Sequence, residues 1–244
     1  MPADAPTIVA TSGGWVPGHR TRLAFGPLLH HCLDLSGAHG RTPRVTVLHT
    51  AGGDQAHWQQ WASEAGRAAG VDLTNLALFP MPSVDDAPGH LHDADVVWVN
   101  GGSVVNLLAV WRAHGLDRVF RDVWQAGVVL GGVSAGSICW HTGGTTDSFG
   151  PDLDPVTDAL GLLPYANGVH YDSEERRRPL VHALVGDGTL GRTYCTDDGV
   201  GLVYRGTALV EAVAERPGAG AYVVERGPDG TAVEEPLDVR RLPA

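Results

Sequence analysis

The stretch VVLGGVSAGSICW, Val128 to Trp140, sets an apolar run against two glycines and then a serine boxed by small residues. Val128-Val129-Leu130 predicts a buried strand ending at Leu130, and Gly131 and Gly132 supply the turn that follows. Gly132-Val133-Ser134-Ala135-Gly136 fits the G-x-S-x-G pattern, in which a serine occupies a sharp strand-to-helix turn and holds its hydroxyl open to a substrate. Larger flanking side chains would clash in so tight a turn. Ser137-Ile138-Cys139-Trp140 is compatible with a helix whose free N–H groups and positive dipole end would face a developing oxyanion. The competing reading is a structural glycine-rich turn without chemistry, so the surrounding chain has to decide.

Outward from this stretch the chain alternates. Thr7 to Ala10, Val45 to Leu48, Leu73 to Phe79 and Asp95 to Val99 read as further strands; Leu23 to Leu35, Gln55 to Ala69, Val104 to His114 and Asp117 to Ala126 read as helices. The strands are apolar throughout rather than alternating, which suits a mostly parallel sheet covered by helices on both faces, an α/β three-layer sandwich. From Gly191 onward the runs shorten: Thr193 to Cys195, Val200 to Tyr204, Ala208 to Val213 and Ala221 to Glu225 are separated by Gly, Pro and Asp turns and predict an antiparallel C-terminal extension. No repeat, low-complexity tract or linker divides the chain, so residues 1–244 are expected to form a single domain. Ligands of open α/β sheets bind outside the carboxyl ends of the strands. Gly13-Gly14, Gly52-Gly53 and Gly101-Gly102 all end strands at that edge, as does the turn carrying Ser134.

Composition removes several function classes. A net charge of -11 leaves no basic stripe for phosphates, so nucleic acid is not an expected partner. The one compact basic run, Arg176-Arg177-Arg178, follows Glu174-Glu175 and reads as a solvated, self-paired helix face. Cys32, Cys139 and Cys195 are odd in number and lack paired metal-ligand spacing, so neither disulfides nor a metal site is expected. The N-terminus has no basic segment followed by an apolar one, and no run approaches the length of a membrane span. No membrane partner and a cytoplasmic location are the expectation; a homo-oligomer stays open.

A serine needs a positioned base, usually a histidine held by a third group. Downstream of Ser134 stand His141, His170 and His182. His141 lies about two turns along the elbow helix, pointing away from it, and His182 lies in a surface helix from Arg176 to Val185. His170 follows a loop-and-strand stretch and precedes Tyr171-Asp172, where a strand end would meet the functional edge. Among the acids, Asp198 stands at the turn after Thr193-Tyr194-Cys195, with Asp197 beside it as a solvated neighbour; Asp147 is the rival. The absence of any histidine after His182 does not suit the usual α/β-hydrolase layout.

The ordered set NGGSVVNLL (Asn100 to Leu108), GGVSAGS (Gly131 to Ser137), GTTDSFG (Gly144 to Gly150), LGLLPYANGVHYD (Leu160 to Asp172) and Asp197-Asp198-Gly199 resembles the peptidase E family of aspartyl dipeptidases, from about Thr7 to Val213. Cyanophycinases are relatives, and the fold of the family resembles flavodoxin-like class I glutamine amidotransferases. The resemblance implies a serine peptidase without a cofactor or metal, with Ser134 as nucleophile, His170 as general base and then acid, and Asp198 as the carboxylate. It also implies that the amides of Gly102 and Ala135 form the oxyanion hole. Asp147 falls in a Thr-Thr-x-Asp-like stretch that lines the family's substrate site, Ser103 stands where the family commonly has Asn, and Arg176 or Arg177 would read an acidic substrate side chain. The loop between His170 and the arginine run is shorter here than in aspartyl dipeptidases.

The expectation is therefore a serine exopeptidase, dipeptidase-like, acting on short peptides, with an aspartyl preference as one outcome. The alternatives are a non-catalytic amidotransferase-like binding or regulatory module, or a relative with carboxypeptidase-like or cyanophycinase-like specificity. Glutamine amidotransferases carry cysteine at the elbow; here Cys139 lies five residues beyond the serine, which argues against a thiol nucleophile.

Overall fold

The computed structural model describes residues 3–243. Strand β1 (Thr7–Thr11) leads into a hairpin of β2 (Trp15–Pro17) and β3 (Leu23–Phe25), then helix α1 (Pro27–Leu35). Next come β4 (Arg44–Leu48), a 3-10 turn at Thr50–Gly52, α2 (Ala56–Ala69), β5 (Asp72–Leu76) and α3 (Ala87–His92). The middle of the chain contains β6 (Val96–Val99), α4 (Val104–Ala113), α5 (Leu116–Gln125), β7 (Val129–Val133), the single turn α6 (Ala135–Ile138), β8 (Gly143–Thr146), β9 (Asp154–Val156), β10 (Ala166–Gly168) and α7 (Arg177–Gly186). Six strands close it: β11 (Thr193–Thr196), β12 (Val200–Arg205), β13 (Ala208–Ala214), β14 (Ala221–Arg226), β15 (Ala232–Leu237) and β16 (Val239–Arg241).

The main sheet has the order β16-β13-β12-β1-β7-β6-β4-β5. Its block from β1 to β5 is wholly parallel, with Val9 opposite Gly131 and Gly131 opposite Trp98 across three neighbouring strands. Successive residues of these strands enter two cores. Val9, Val47, Trp98 and Val129 pack with Leu28, Leu29 and Cys32 of α1 and Ala65 of α2. Ile8, Ala10, Val97, Val99 and Leu130 pack on the other face with Leu107 and Trp111 of α4 and Phe120 of α5. Burial on both faces is why these strands are apolar at every position. The result is the expected mostly parallel α/β fold of the flavodoxin-like kind.

A second sheet, β15-β14-β11-β10-β8-β9, was not legible in the sequence. Val169, Tyr194 and Val223 join it to the core shared with α4 and α5, and α7 covers its other side through Val181, Leu184 and Val185. The C-terminal strands thus do not form one antiparallel extension. In the main sheet β12 pairs antiparallel with β1, β13 antiparallel with β12 and β16 parallel with β13, whereas β11, β14 and β15 belong to the second sheet.

Three local expectations need correction. The helix expected from Leu23 begins only at Pro27, because Gly26 is extended (ψ 173°) ahead of the proline and Phe25 is held edge-on against Trp15 in the hairpin. The third strand stops at Leu76 instead of Phe79, since the amides of Leu78 and Phe79 turn to the Asp54 carboxylate at 2.6 and 3.1 Å. Strand β7 does not end at Leu130 but continues to Val133, and the helix after it is a single turn that stops before His141. Gly131 and Gly132 are therefore strand residues, needed for packing: a Cβ on Gly131 would crowd the Trp98 ring at 2.9 Å, and one on Gly132 would overlap the Gly136 carbonyl.

Among the described residues no helix is long and apolar enough to cross a membrane.

Candidate active site

Ser134 joins β7 to α6 with φ 59° and ψ −117°, a conformation that L-residues rarely hold. Close packing enforces it. Gly136 touches the Val99 carbonyl so tightly that a Cβ there would overlap it, and Gly132 has the same relation to Gly136. Gly101 stands opposite, where a Cβ would lie 3.1 Å from Ser134 Cβ and 3.6 Å from its Oγ. The glycines of the elbow thus bring β6, β7 and α6 together, and Gly101 leaves the hydroxyl uncovered.

His170 follows β10 with φ 54°. Its Nδ1 lies 2.5 Å from Asp198 Oδ1. An ionised carboxylate only accepts, so Nδ1 carries the proton of this bond and leaves Nε2 unprotonated in the neutral ring. The His170 amide donates to Ser12 Oγ at 3.1 Å, and Ser12 in turn holds Thr196 at the end of β11. Asp198 lies at the turn between β11 and β12. Its amide donates to Asp172 Oδ1 at 2.8 Å, and Arg216 bridges the Asp198 carbonyl and the Asp172 carboxylate. Burial pushes the Asp172 carboxyl up, but the Asp198 amide and the Arg216 guanidinium outweigh it and hold the group below its usual range.

Ser134 and His170 line one cavity of about 370 Å³, together with Gly101, Gly102, Trp15 and Trp58. No hydrogen bond joins Ser134 Oγ to His170, whose ring bonds Asp198, and nucleophile–base bonds commonly tighten only once substrate is present. Among the described residues the amides of Gly102, on the cavity, and Ala135, next after Ser134, donate to no protein acceptor. A one-turn helix contributes little dipole, so any oxyanion stabilisation here comes from the amides themselves. Gly102 has a further reason to be glycine: its φ is 137°, and a Cβ would overlap the Ala51 carbonyl.

The model of peptidase family S51 matches residues 8–211. The chain belongs to peptidase family S51. It is 38% identical to the uncharacterized peptidase YgaJ of Bacillus subtilis strain 168, over 96% of this chain and 98% of that one. Peptidase E of Escherichia coli O6:K15:H31 is 29% identical over 59% of this chain and 62% of its own length, so that match spans under two thirds of the relative. In fold, the chain is similar to a peptidase from an acI-B1 Actinobacterium, with a TM-score of 0.70, 18% identity and coverage of 96% and 95% of the two chains. A Peptidase E protein of Listeria monocytogenes EGD-e gives 0.59 at 17% identity, over 84% of this chain and 96% of that one.

In this S51 chain the structure separates the other candidate residues from the cavity. Ser103 caps α4, accepting from the Asn106 amide at 3.2 Å, and does not line the cavity. Asp147 and Arg176 share a different surface depression with Glu174 and Glu175, and Arg176 pairs with Asp152 at 2.5 Å. The carboxylate bonded to the His170 ring is that of Asp198, and no hydrogen bond or ion pair joins Asp147 to His170. The arginine run is not one solvated face: Arg177 is buried against Glu174 and Thr145, and Arg178 lies over the rings of Tyr171 and Tyr222 and pairs with Glu234. Asp197 is likewise buried rather than solvated, its carboxyl raised by that burial although it accepts from the Gly220 amide.

His141 is fully buried on the Ser137 carbonyl and near the Tyr204 hydroxyl, and burial pulls it down to about 4; His182 pairs with Glu234 at 2.9 Å. Burial raises the Cys139 thiol well above its ordinary value, so it is no thiolate. Among the described residues no cluster of three or more His, Cys, Asp or Glu side chains is placed to hold a metal ion.

Sequence reasoning missed the wall of the cavity. Asn100 Oδ1 accepts the indole N–H groups of Trp15 (2.8 Å) and Trp98 (3.0 Å), and its Nδ2 donates to His49 Nδ1 at 2.8 Å. His49 Nε2 meets Asn75 Oδ1 at 3.0 Å. Burial lowers His49, keeping it neutral with the proton on Nε2. Only the Asn-Gly-Gly turn gave a signal; tryptophans on a hairpin strand and on a helix follow no motif.

Proposed function

We propose that the chain is a serine exopeptidase that hydrolyses short peptides in a dipeptidase-like manner. The observation that carries this reading is the 2.5 Å His170–Asp198 pair, with His170 lining the same cavity as Ser134, itself at positive φ. Ser134 Oγ gives its proton to His170 Nε2 and attacks the scissile carbonyl. The resulting oxyanion accepts hydrogen bonds from the Gly102 and Ala135 amides. His170, protonated and held by Asp198, then gives its proton to the leaving amine. Water repeats the sequence on the acyl-enzyme and releases the acid. Short peptides are favoured by the modest cavity, and by the peptidase E name of relatives that match part of the chain.

Purified protein is expected to cleave members of a dipeptide and tripeptide library without added metal, and Ser134→Ala to abolish cleavage with an unchanged circular-dichroism spectrum. A serine-directed phosphonate should modify Ser134, as located by mass spectrometry. Full activity in Ser134→Ala defeats the mechanism, and a folded protein that neither cleaves nor labels is the non-catalytic binding module instead.

A further inference from the structure

The cavity beside Ser134 joins the proposed reacting groups to a wall of aromatic and amide side chains that carries no ionisable residue other than His49 and His170. Trp15, Trp58 and Val133 supply apolar surface, and the polar side chains behind them are occupied with one another. Asn100 uses both oxygen lone pairs on the two indoles and a proton on His49, and both His49 ring nitrogens are engaged. Gln55 donates to the Gly52 carbonyl. What remains for a ligand is Ser134, His170, the Gly102 amide, one N–H of Asn100, the outer groups of Gln55 and the aromatic walls, Trp58 being 36% exposed at the rim.

Recognition of a carboxylate side chain would need a facing cation or several free donors. The chain has no lysine, and all 17 of its basic residues are arginine. None lines this cavity. On neighbouring elements Arg22 lies over Trp61, Arg176 on Asp152, Arg177 on Glu174, Arg178 on Glu234 and Arg216 on Asp172, while Arg20 in the β2–β3 turn and Arg67 of α2 stand outside the cavity lining. A net charge of -11 adds a field that repels acidic peptides.

Resting on the peptidase reading above, we propose that this cavity is a specificity pocket for an apolar or aromatic side chain next to the scissile bond, walled by Trp15 and Trp58. An aspartyl side chain there would lose its hydration without gaining a cationic partner.

The test compares kcat/KM for the dipeptides X-Ala and Ala-X, with X as Phe, Leu or Asp. Phe or Leu is expected to exceed Asp by about tenfold or more in at least one series. Trp58→Ala should shrink that ratio, and Trp58→Arg should move it toward Asp. Asp equal to or better than Phe and Leu in both series overturns the proposal, as does a ratio that neither variant changes. If no peptide is cleaved, the peptidase reading has failed, and the pocket is judged separately from calorimetric binding of the same dipeptides: tighter Phe or Leu upholds it, and equal or tighter Asp overturns it.

Discussion

Ser134 is held at a positive φ by its neighbours, and that conformation costs about 1–3 kcal/mol for a residue with a Cβ. Glycine relieves the strain and alanine does not. Urea unfolding is therefore expected to show Ser134→Gly more stable than Ser134→Ala by about 1 kcal/mol, both being inactive. Asp198→Asn addresses the other end of the proposed relay. The amide cannot hold the imidazolium as the carboxylate does, so kcat should fall on the order of 10³–10⁴-fold with little change in Tm. The residues proposed to carry the chemistry stood out in the sequence because each sits in a short, constrained segment: the serine between glycines, His170 before a turn, Asp198 before Gly199. Ser103, Asp147 and Arg176 were expected near the substrate through resemblance alone, and local partners claim two of them: Ser103 caps a helix and Arg176 pairs with Asp152. The pocket walls were unreadable for a different reason. Trp15 and Trp58 are distant in sequence and meet only because the β2–β3 hairpin packs beside α2.

Among the elements, β6, β7 and α6 lie so close that their glycines divide into two kinds. Gly132→Ala would drive a methyl into the Gly136 carbonyl and within 2.7 Å of the Val99 carbonyl, so it should cost about 1–3 kcal/mol and lower Tm. Gly101→Ala meets no backbone closer than 3.4 Å, and its methyl would lie over Ser134 instead. Its stability should be nearly unchanged while kcat/KM falls by about tenfold or more, a contrast that paired melting and rate measurements resolve. The parallel block was legible because its strands are apolar at every position. The second sheet was not: β8 reads Gly-Gly-Thr-Thr and β9 Asp-Pro-Val, too short and too poor in apolar residues to register as strands. They exist because the core under α4 and α5 needs a cover, which is a property of the packed molecule.

At the scale of the whole molecule, burial holds two histidines neutral, His49 below its ordinary value and His141 down to about 4. A histidine that titrates lower in the folded than in the unfolded chain contributes stability fully above about pH 6.5, and loses it as pH falls through the folded value. For His141 the displacement corresponds to about 3 kcal/mol. Tm should therefore decline from about pH 6.5 toward pH 4, and His141→Asn should flatten that decline. Asp197 and Glu215, raised by burial, act in the opposite sense, so the histidine variant is the discriminating measurement. The three proposed catalytic groups also divide between the sheets: Ser134 leaves the main one, His170 leaves the second, and Asp198 lies where the chain crosses from one to the other. Catalysis then reports on sheet docking. Under mild denaturant, turnover should vanish together with hydrogen-exchange protection in β10 and β11, while amides of the parallel block stay protected.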